Sequence, residues 1–374
     1  MKKLFIVVNV DWFFLSHRKE IAVAAQANGY DVTIVTKDTG KAHVIKELGL
    51  KHIDLPLNRS GESIVEELGT LKFLVSLYRN NRDAIVHHVG LKTILWGTFA
   101  AKIAGVKGVV NAVSGLGIIF SEDNQGLKSK VIIQLMKYSH KQNNLKVIFQ
   151  NDEDKAMFLK RGIINESACR FIKGSGVDLN QFEYTPEPTE GKLKVLFTAR
   201  MIREKGVFVL ADAANNIKDK FLGKVEFLLC GGLDDNPTAL TKEDIESCCE
   251  EGYITWLGYR TDVLELLKDS HLVAFPSYYM EGLPKSLIEA TAVGRPVITT
   301  DSIGCRDTVI DGYNGYLIPK KDSEMLGEKL ELLLSDAQLR KEMGQNSRKY
   351  AEEHFSLAKV IEKHLSIYEE LVKY

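Results

Sequence analysis

Two glutamates, Glu281 and Glu289, stand eight residues apart in EGLPKSLIEATAVGRPVITTD, residues 281–301. Gly282, Leu283, Pro284, Lys285 and Ser286 follow the first of them, after the strand-like run LVAFPS at 272–277. Pro284 suits the first helical position, where its missing N–H is not needed, and Gly282 lets the backbone approach a ligand closely. The amides of Lys285 and Ser286 then lie at a helix N-terminus, an anion site strengthened by the helix dipole. Glu289, about a turn and a half into that helix, can accept two hydrogen bonds from a vicinal diol such as a ribose. The spacing fits a nucleotide sugar, with diphosphate at the helix start, ribose below it and sugar above. A capped surface helix carrying solvated acids satisfies the same spacing.

A second loop bears on that choice. FTARMIREKG places Arg200 at a strand end and Lys205 five residues on, before Gly206 and a helical run. Arginine forks to phosphate oxygens and lysine adds a point charge. Two cations aimed at the same crevice suit a diphosphate leaving group. Alone the pair also fits an ordinary charged surface; together with 281–289 it is harder to reach by chance.

Both loops follow strands, and the elements around them repeat. LFIVVNV (4–10), DVTIVTK, KHIDLPL, AIVHHV, VKGVVNAV and KVIFQN read as strands, separated by helical runs at 17–29, 62–80, 91–104 and 127–142. This alternation implies βαβ units and parallel sheets. EYTPEPTEGK (183–192), polar and proline-rich, reads as a linker. The pattern restarts with LKVLFTA at 193–199 and runs through GYLIP at 315–319, with helices from 322 to the end. The expected fold is α/β, with two doubly wound Rossmann-like domains facing each other across a cleft. They span 1–182 and 193–355, followed by a terminal helix at 356–374. In open parallel sheets ligands bind beyond the C-terminal ends of strands, where these loops lie.

The 374 residues, 45% apolar and 26% charged, allow two domains with substantial cores. Five scattered cysteines form no CxxC pair and no zinc-ligand spacing, which fits a reducing compartment. MKKLFIVVNVDWFF opens like a signal peptide but breaks at Asn9 and Asp11, so a first strand is expected there. No run is long and apolar enough to span a bilayer, so membrane contact is expected to be peripheral. Residues 1–185 hold 25 Lys+Arg against 18 Asp+Glu, while 186–374 hold 24 against 32. A basic half joined to an acidic half points to different partners for each, although drift in surface composition gives the same balance.

Glu-Gly-Leu-Pro with Glu289 resembles the E-x7-E motif of retaining glycosyltransferases of family 4, which have the GT-B fold. The resemblance extends in order through ARMIREKG, GSGVD (174–178), LGYRTDV, AVGRPVITTD and DGYNGYLIP (311–319), and covers nearly the whole chain. It implies that Arg200 and Lys205 contact the donor diphosphate, Glu289 the ribose and Glu281 the donor sugar. Tyr259 and Arg260 would line the base, and the terminal helix would return to the first domain. The implied donor is a UDP-sugar. No metal or other cofactor is expected, since the two cations take the charge, and no nucleic-acid partner.

NVDWFFLSHR (9–18) departs from the glycine-rich loop common in the family and resembles the FFxSHR loop of a surface-polysaccharide subgroup. That subgroup is similar to N-acetylgalactosaminyltransferases acting on undecaprenyl-diphosphate sugars, and implies a HexNAc donor and a lipid-diphosphate-linked sugar acceptor. Ser16 is expected to cap the next helix, and His17 to touch acceptor or phosphate. Phe13 and Phe14 fit packing beneath the loop equally well. Where many members carry His-Gly, this chain has Ser114-Gly115, so that histidine's role does not transfer. His88 and Asn151, each ending a strand, are further acceptor or cleft candidates. LKSKVIIQLMKYSHKQNNLK (127–146) carries five lysines and no acid, with Val131, Ile132, Leu135 and Met136 as an apolar face. It is expected to rest on an anionic membrane at the cytoplasmic side, and a core-packed helix with a solvated basic face fits the same pattern. A nucleotide-sugar epimerase and a non-catalytic GT-B scaffold are the rival readings.

Overall fold

KKLFIVVNV is apolar on both faces, and Leu4 to Val8 are buried throughout, as expected of a parallel strand covered by helices on both sides. The computed structural model describes residues 2–57, 64–115, 126–234, 238–279 and 282–373. It divides into two compact units, 1–175 with 358–374, and 176–357.

In the first unit the strands are β1 (Lys2–Val10), β2 (Tyr30–Lys37), β3 (Lys51–Asp54), β4 (Ile85–Val89), β5 (Gly108–Ala112), β6 (Leu145–Phe149) and β7 (Cys169–Phe171). They pair in parallel in the order β3-β2-β1-β4-β5-β6-β7. The second unit holds β8 (Leu193–Thr198), β9 (Val225–Cys230), β10 (Ile254–Gly258), β11 (Leu272–Phe275), β12 (Val297–Thr300) and β13 (Gly315–Ile318). Their order is β10-β9-β8-β11-β12-β13, again all parallel. In each sheet the winding reverses once, between β1 and β4 and between β8 and β11. Loops leaving those strands splay apart and open a crevice at the sheet's C-terminal edge.

Both ends of the chain build the first unit. Helix Leu357–Val372 buries Val360, Ile367, Tyr368 and Leu371 in the core containing β1, β2 and β4. Arg170 grips Glu370 through two 2.7 Å bonds, and Lys146 reaches the same carboxylate at 3.0 Å.

The segment 183–192, expected as a linker, is instead part of the second unit, and the chain passes between units at Ser175–Gly176 and Leu357–Ala358. Two buried arginines hold it there. Arg295 donates to the Thr185 carbonyl at 2.8 Å, and Arg340 pairs with Glu187 at 2.9 Å. The boundaries 1–182 and 193–355 shift accordingly. The sequence reading also left out helices Asp11–His17, Ala42–Glu47 and Asp152–Lys160, and strand β7.

Candidate active site

The loop after β8 is held by the loop after β9. Ala199 donates its amide to the Cys230 carbonyl and Met201 to Gly232, both at 3.0 Å. Further along, the Arg203 amide reaches Thr238 at 3.0 Å, and the Leu240 amide returns to Met201 at 2.8 Å. The approach is so close that a Cβ on Gly231 would lie 1.6 Å from the Ala199 carbonyl oxygen. On this platform Arg200 Nη1 donates to Asp234 Oδ2 at 2.8 Å. Lys205 ends the short turn Arg203–Lys205 and is buried. Gly206 follows at φ +91°, where a Cβ would meet the Pro276 carbonyl at 2.3 Å. Only glycine permits the loops after β8 and β11 to come together at this point.

Those two loops are tied at Glu204, whose carbonyl accepts the amides of Tyr278 at 2.9 Å and Tyr279 at 3.2 Å. The Lys205 ammonium lies 5.4 Å from the ring centroids of both Phe275 and Tyr279, within cation–π range. Further along the β11 loop, Pro284 occupies the N-cap position, one residue earlier than expected, and the helix runs Lys285–Val293. The Leu287 and Ile288 amides take the Pro284 carbonyl, so Lys285 and Ser286 fall at the first two helical positions, whose amides no intrahelical carbonyl reaches. Gly282 is half-buried, and Leu283 packs with Val177, Ile288, Ala292 and Phe355, anchoring the turn. Glu289 is 14% exposed and 3.6 Å from the Lys285 ammonium. Burial raises its pKa above the ordinary glutamate value, and Lys285 offsets only part of that. Glu281 lies outside the described residues.

Beyond β10, Tyr259 is 72% exposed, and a Cβ added to Gly232 would lie 3.4 Å from the Tyr259 Cβ, beside the Arg200 platform. The Arg260 guanidinium is engaged by Asp262, through Nε at 2.8 Å and through Nη2. Among the described residues no group of three His, Cys, Asp or Glu side chains could hold a metal ion.

In the first unit, DWFFLSH is a helix, Asp11–His17, and not a loop. Ser16 therefore does not cap the next helix, whose N-cap is Arg18. Its hydroxyl contacts His17 Nδ1 at 2.5 Å, and the His17 ring stacks on Phe13 with centroids 4.1 Å apart. Asp11 is the residue missed here. Burial alone would raise its pKa, but the Thr39 hydroxyl and amide, with the Lys41 and Trp12 amides, outweigh it and hold the carboxylate below its usual range. It thereby pins the loop after β2 to the end of β1.

His88 is not at an open edge but wholly buried. Its Nδ1 meets Asn111 Oδ1 at 2.8 Å and its Nε2 meets the Tyr78 hydroxyl at 2.9 Å. Asn151 is likewise buried and caps helix Asp152–Lys160, accepting the Asp154 amide at 2.7 Å. Ser114 is half-buried just past β5. The basic stretch begins as helix Leu127–His140, and most of its apolar face packs on the core, with Ile132 and Leu135 partly buried there and Val131 the exception. Ile133 and Met136 enter the core, while Lys130, Val131, Tyr138 and, just past the helix, Lys141 are exposed. Lys146 belongs to β6 and is buried against Glu370, so it is not on this surface. No described helix is long and apolar enough to cross a membrane.

Two Rossmann-like units, with a cationic loop and a helix start meeting at the second unit's switch point, define a GT-B glycosyltransferase fold. A solved glycosyltransferase from Rickettsia africae superposes with a TM-score of 0.80 at 20% identity, covering 100% of this chain and 99% of that one. The chain belongs to the family 4 glycosyltransferases, as its motifs implied. Residues 181–350 match the Glycosyl transferases group 1 model, and residues 3–151 match the Glycosyl transferase 4-like model. The chain is similar to N,N'-diacetylbacillosaminyl-diphospho-undecaprenol alpha-1,3-N-acetylgalactosaminyltransferase of Campylobacter jejuni, 28% identical over 96% of this chain and 98% of that protein. It is also similar to UDP-Gal:alpha-D-GlcNAc-diphosphoundecaprenol alpha-1,3-galactosyltransferase of Escherichia coli, 24% identical over 92% and 90% of the two chains.

Proposed function

We propose that this enzyme transfers a sugar, a HexNAc, from a UDP-sugar to a lipid-diphosphate-linked acceptor in surface polysaccharide assembly, with retained anomeric configuration. The observation that carries the donor site is the tie at Glu204, which brings the Arg200–Lys205 loop to the loop leading into helix Lys285–Val293. The bond from the donor sugar's anomeric carbon to the diphosphate oxygen breaks, and a bond to the acceptor oxygen forms. Charge grows on the departing diphosphate, where Arg200, Lys205 and the helix amides stabilise it electrostatically. The acceptor's hydroxyl proton passes to the leaving phosphate, so no enzymic base is required. Glu289 holds the ribose, Glu281 positions the sugar, and Tyr259 offers an exposed ring to the base. His17, stacked on Phe13, is the acceptor-side candidate.

The curated relatives act on undecaprenyl-diphosphate-linked sugars, which supports a lipid-linked acceptor here. Such an acceptor requires a membrane surface, and the exposed Lys130, Val131, Tyr138 and Lys141 give one face the mixed basic and apolar character that binds anionic lipid. Neither an epimerase nor a scaffold would need this acceptor surface and the donor loops together.

Calorimetric titration of UDP, GDP, ADP and NAD⁺ in EDTA tests the donor half. UDP is expected to bind selectively, and Arg200→Ala to weaken it by about 2 kcal/mol, the scale of a charge-assisted hydrogen bond. GDP selectivity would overturn the donor, and a requirement for added metal would overturn the metal-free reading.

A further inference from the structure

Asp234 has no role in the donor site described so far, yet it holds that site's arginine. Its carboxylate is only 10% exposed and lies 2.8 Å from Arg200 Nη1. A shielded negative charge beside a diphosphate site opposes the ligand unless it serves the cation next to it. Its position is fixed by a clamped segment. Gly231 donates its amide to the Gly258 carbonyl at 2.9 Å and accepts the Trp256 indole N–H at 2.9 Å. The next residue, Gly232, accepts the Met201 amide at 3.0 Å. Asp234 follows two residues later, so the bonds that set the β8 loop also set its partner carboxylate.

The contact uses one guanidinium nitrogen. Among the described residues, Nε and Nη2 of Arg200 carry no hydrogen bond, and the side chain keeps 35% exposure. Those two nitrogens form the edge of the guanidinium that takes two phosphate oxygens at once. An unheld arginine loses rotamer freedom whenever it binds, and fixing it beforehand removes that loss from the binding step.

We propose that Asp234 is a positioning residue for the donor: it fixes Arg200 through Nη1 and thereby presents the Nε–Nη2 edge to the diphosphate. This rests on the reading of Arg200 as a diphosphate ligand. The test is UDP titration of Asp234→Ala, Asp234→Asn, Arg200→Ala and the Arg200→Ala/Asp234→Ala double variant, beside the wild type. Asp234→Ala is expected to weaken UDP about tenfold. Asp234→Asn keeps a side-chain oxygen for Nη1 and is expected to recover most of the affinity. The double variant is expected to bind no more weakly than Arg200→Ala alone, an outcome that general loosening of the fold would not give. Unchanged or tighter UDP binding in Asp234→Ala overturns the proposal, because the carboxylate would then compete with the ligand. Losses that add in the double variant overturn it as well. A wild type with no affinity for UDP removes the donor reading itself, whereas a UDP-binding wild type matched by Asp234→Ala removes only the role of Asp234.

Discussion

Glu289 illustrates how a binding residue conflicts with the fold that carries it. It is nearly buried, its ammonium neighbour is 3.6 Å away, and its pKa is raised by burial with only partial relief from Lys285. The folded state therefore holds its proton to higher pH than the unfolded chain does. Stability from this group is present below the ordinary carboxylate range and falls as pH rises through the raised value. Once ionised, the carboxylate destabilises the empty protein, and the hydroxyls of a bound ribose would supply donors beyond Lys285. Glu289→Gln is expected to weaken UDP by about 1–3 kcal/mol. Its melting temperature is expected to gain on the wild type as pH rises from about 4 to about 7. UDP binding unchanged by the substitution would end the ribose role. Arg200 and Lys205 stand out as candidates because their chemistry and their place after a strand are both written in the chain, and Glu289 because of its spacing from Glu281. Asp234 does not, since its partnership depends on backbone bonds between two loops. His88 and Asn151 have the same strand-end positions, but nothing in the sequence says that Tyr78, Asn111 and Asp154 already occupy their polar atoms.

At the scale of elements, the parallel alternation and most strands were readable because β-branched runs and amphipathic helices keep different periods. Helix Asp11–His17 was hidden because Val10 at its N-cap supplies no side-chain cap, and DWFFLSH lacks a helical stripe. Strand β7 is three residues, too short to show any period. Helix Leu127–His140 was found, and Ile132, Leu135 and Met136 turn inward as one stripe together with Ile133, whereas Val131, expected with them, is exposed. Its core contacts through Ile133 and Met136 leave the outer lysines available for substitution. Lys130, Lys137 and Lys141 replaced together by Glu are expected to release the protein from phosphatidylglycerol vesicles in a flotation assay while leaving UDP affinity intact. Persistent flotation would exclude this helix as the membrane contact, and loss of UDP affinity would point to damage beyond the surface.

Over the whole molecule the two units differ in what they bury. The first encloses His87, His88, His140 and His364. The wiring around three of them is specified by proton positions. His140 donates Nδ1–H to the Met136 carbonyl at 2.8 Å, so its Nε2 accepts from the Asn111 amide at 3.1 Å. His88 in turn donates to Asn111 Oδ1 and accepts from Tyr78. His364 donates to the Val360 carbonyl at 2.8 Å. A second proton on His140 would oppose the Asn111 amide hydrogens, and on His364 it would place charge near Arg18. Burial, as the largest cause, lowers His88 and His140 to about 4, His364 to about 3, and His87 well below its usual value. The unfolded chain takes up these protons near pH 6.5 and the native unit does not, so the stabilisation present above about pH 6.5 is lost as pH falls. Each such histidine removes up to about 1.4 kcal/mol per pH unit until its native pKa is reached. In the second unit burial lowers His271, and the Glu187 charge offsets part of that. Acidification from about pH 6.5 to about pH 4 is therefore expected to unfold the first unit before the second. Trp12 and Trp96 lie in the first unit and Trp256 in the second. Fluorescence of a Trp256→Phe variant should thus change at higher pH than that of a Trp12→Phe/Trp96→Phe variant, and coincident transitions would show that the buried histidines do not set the acid limit of the fold.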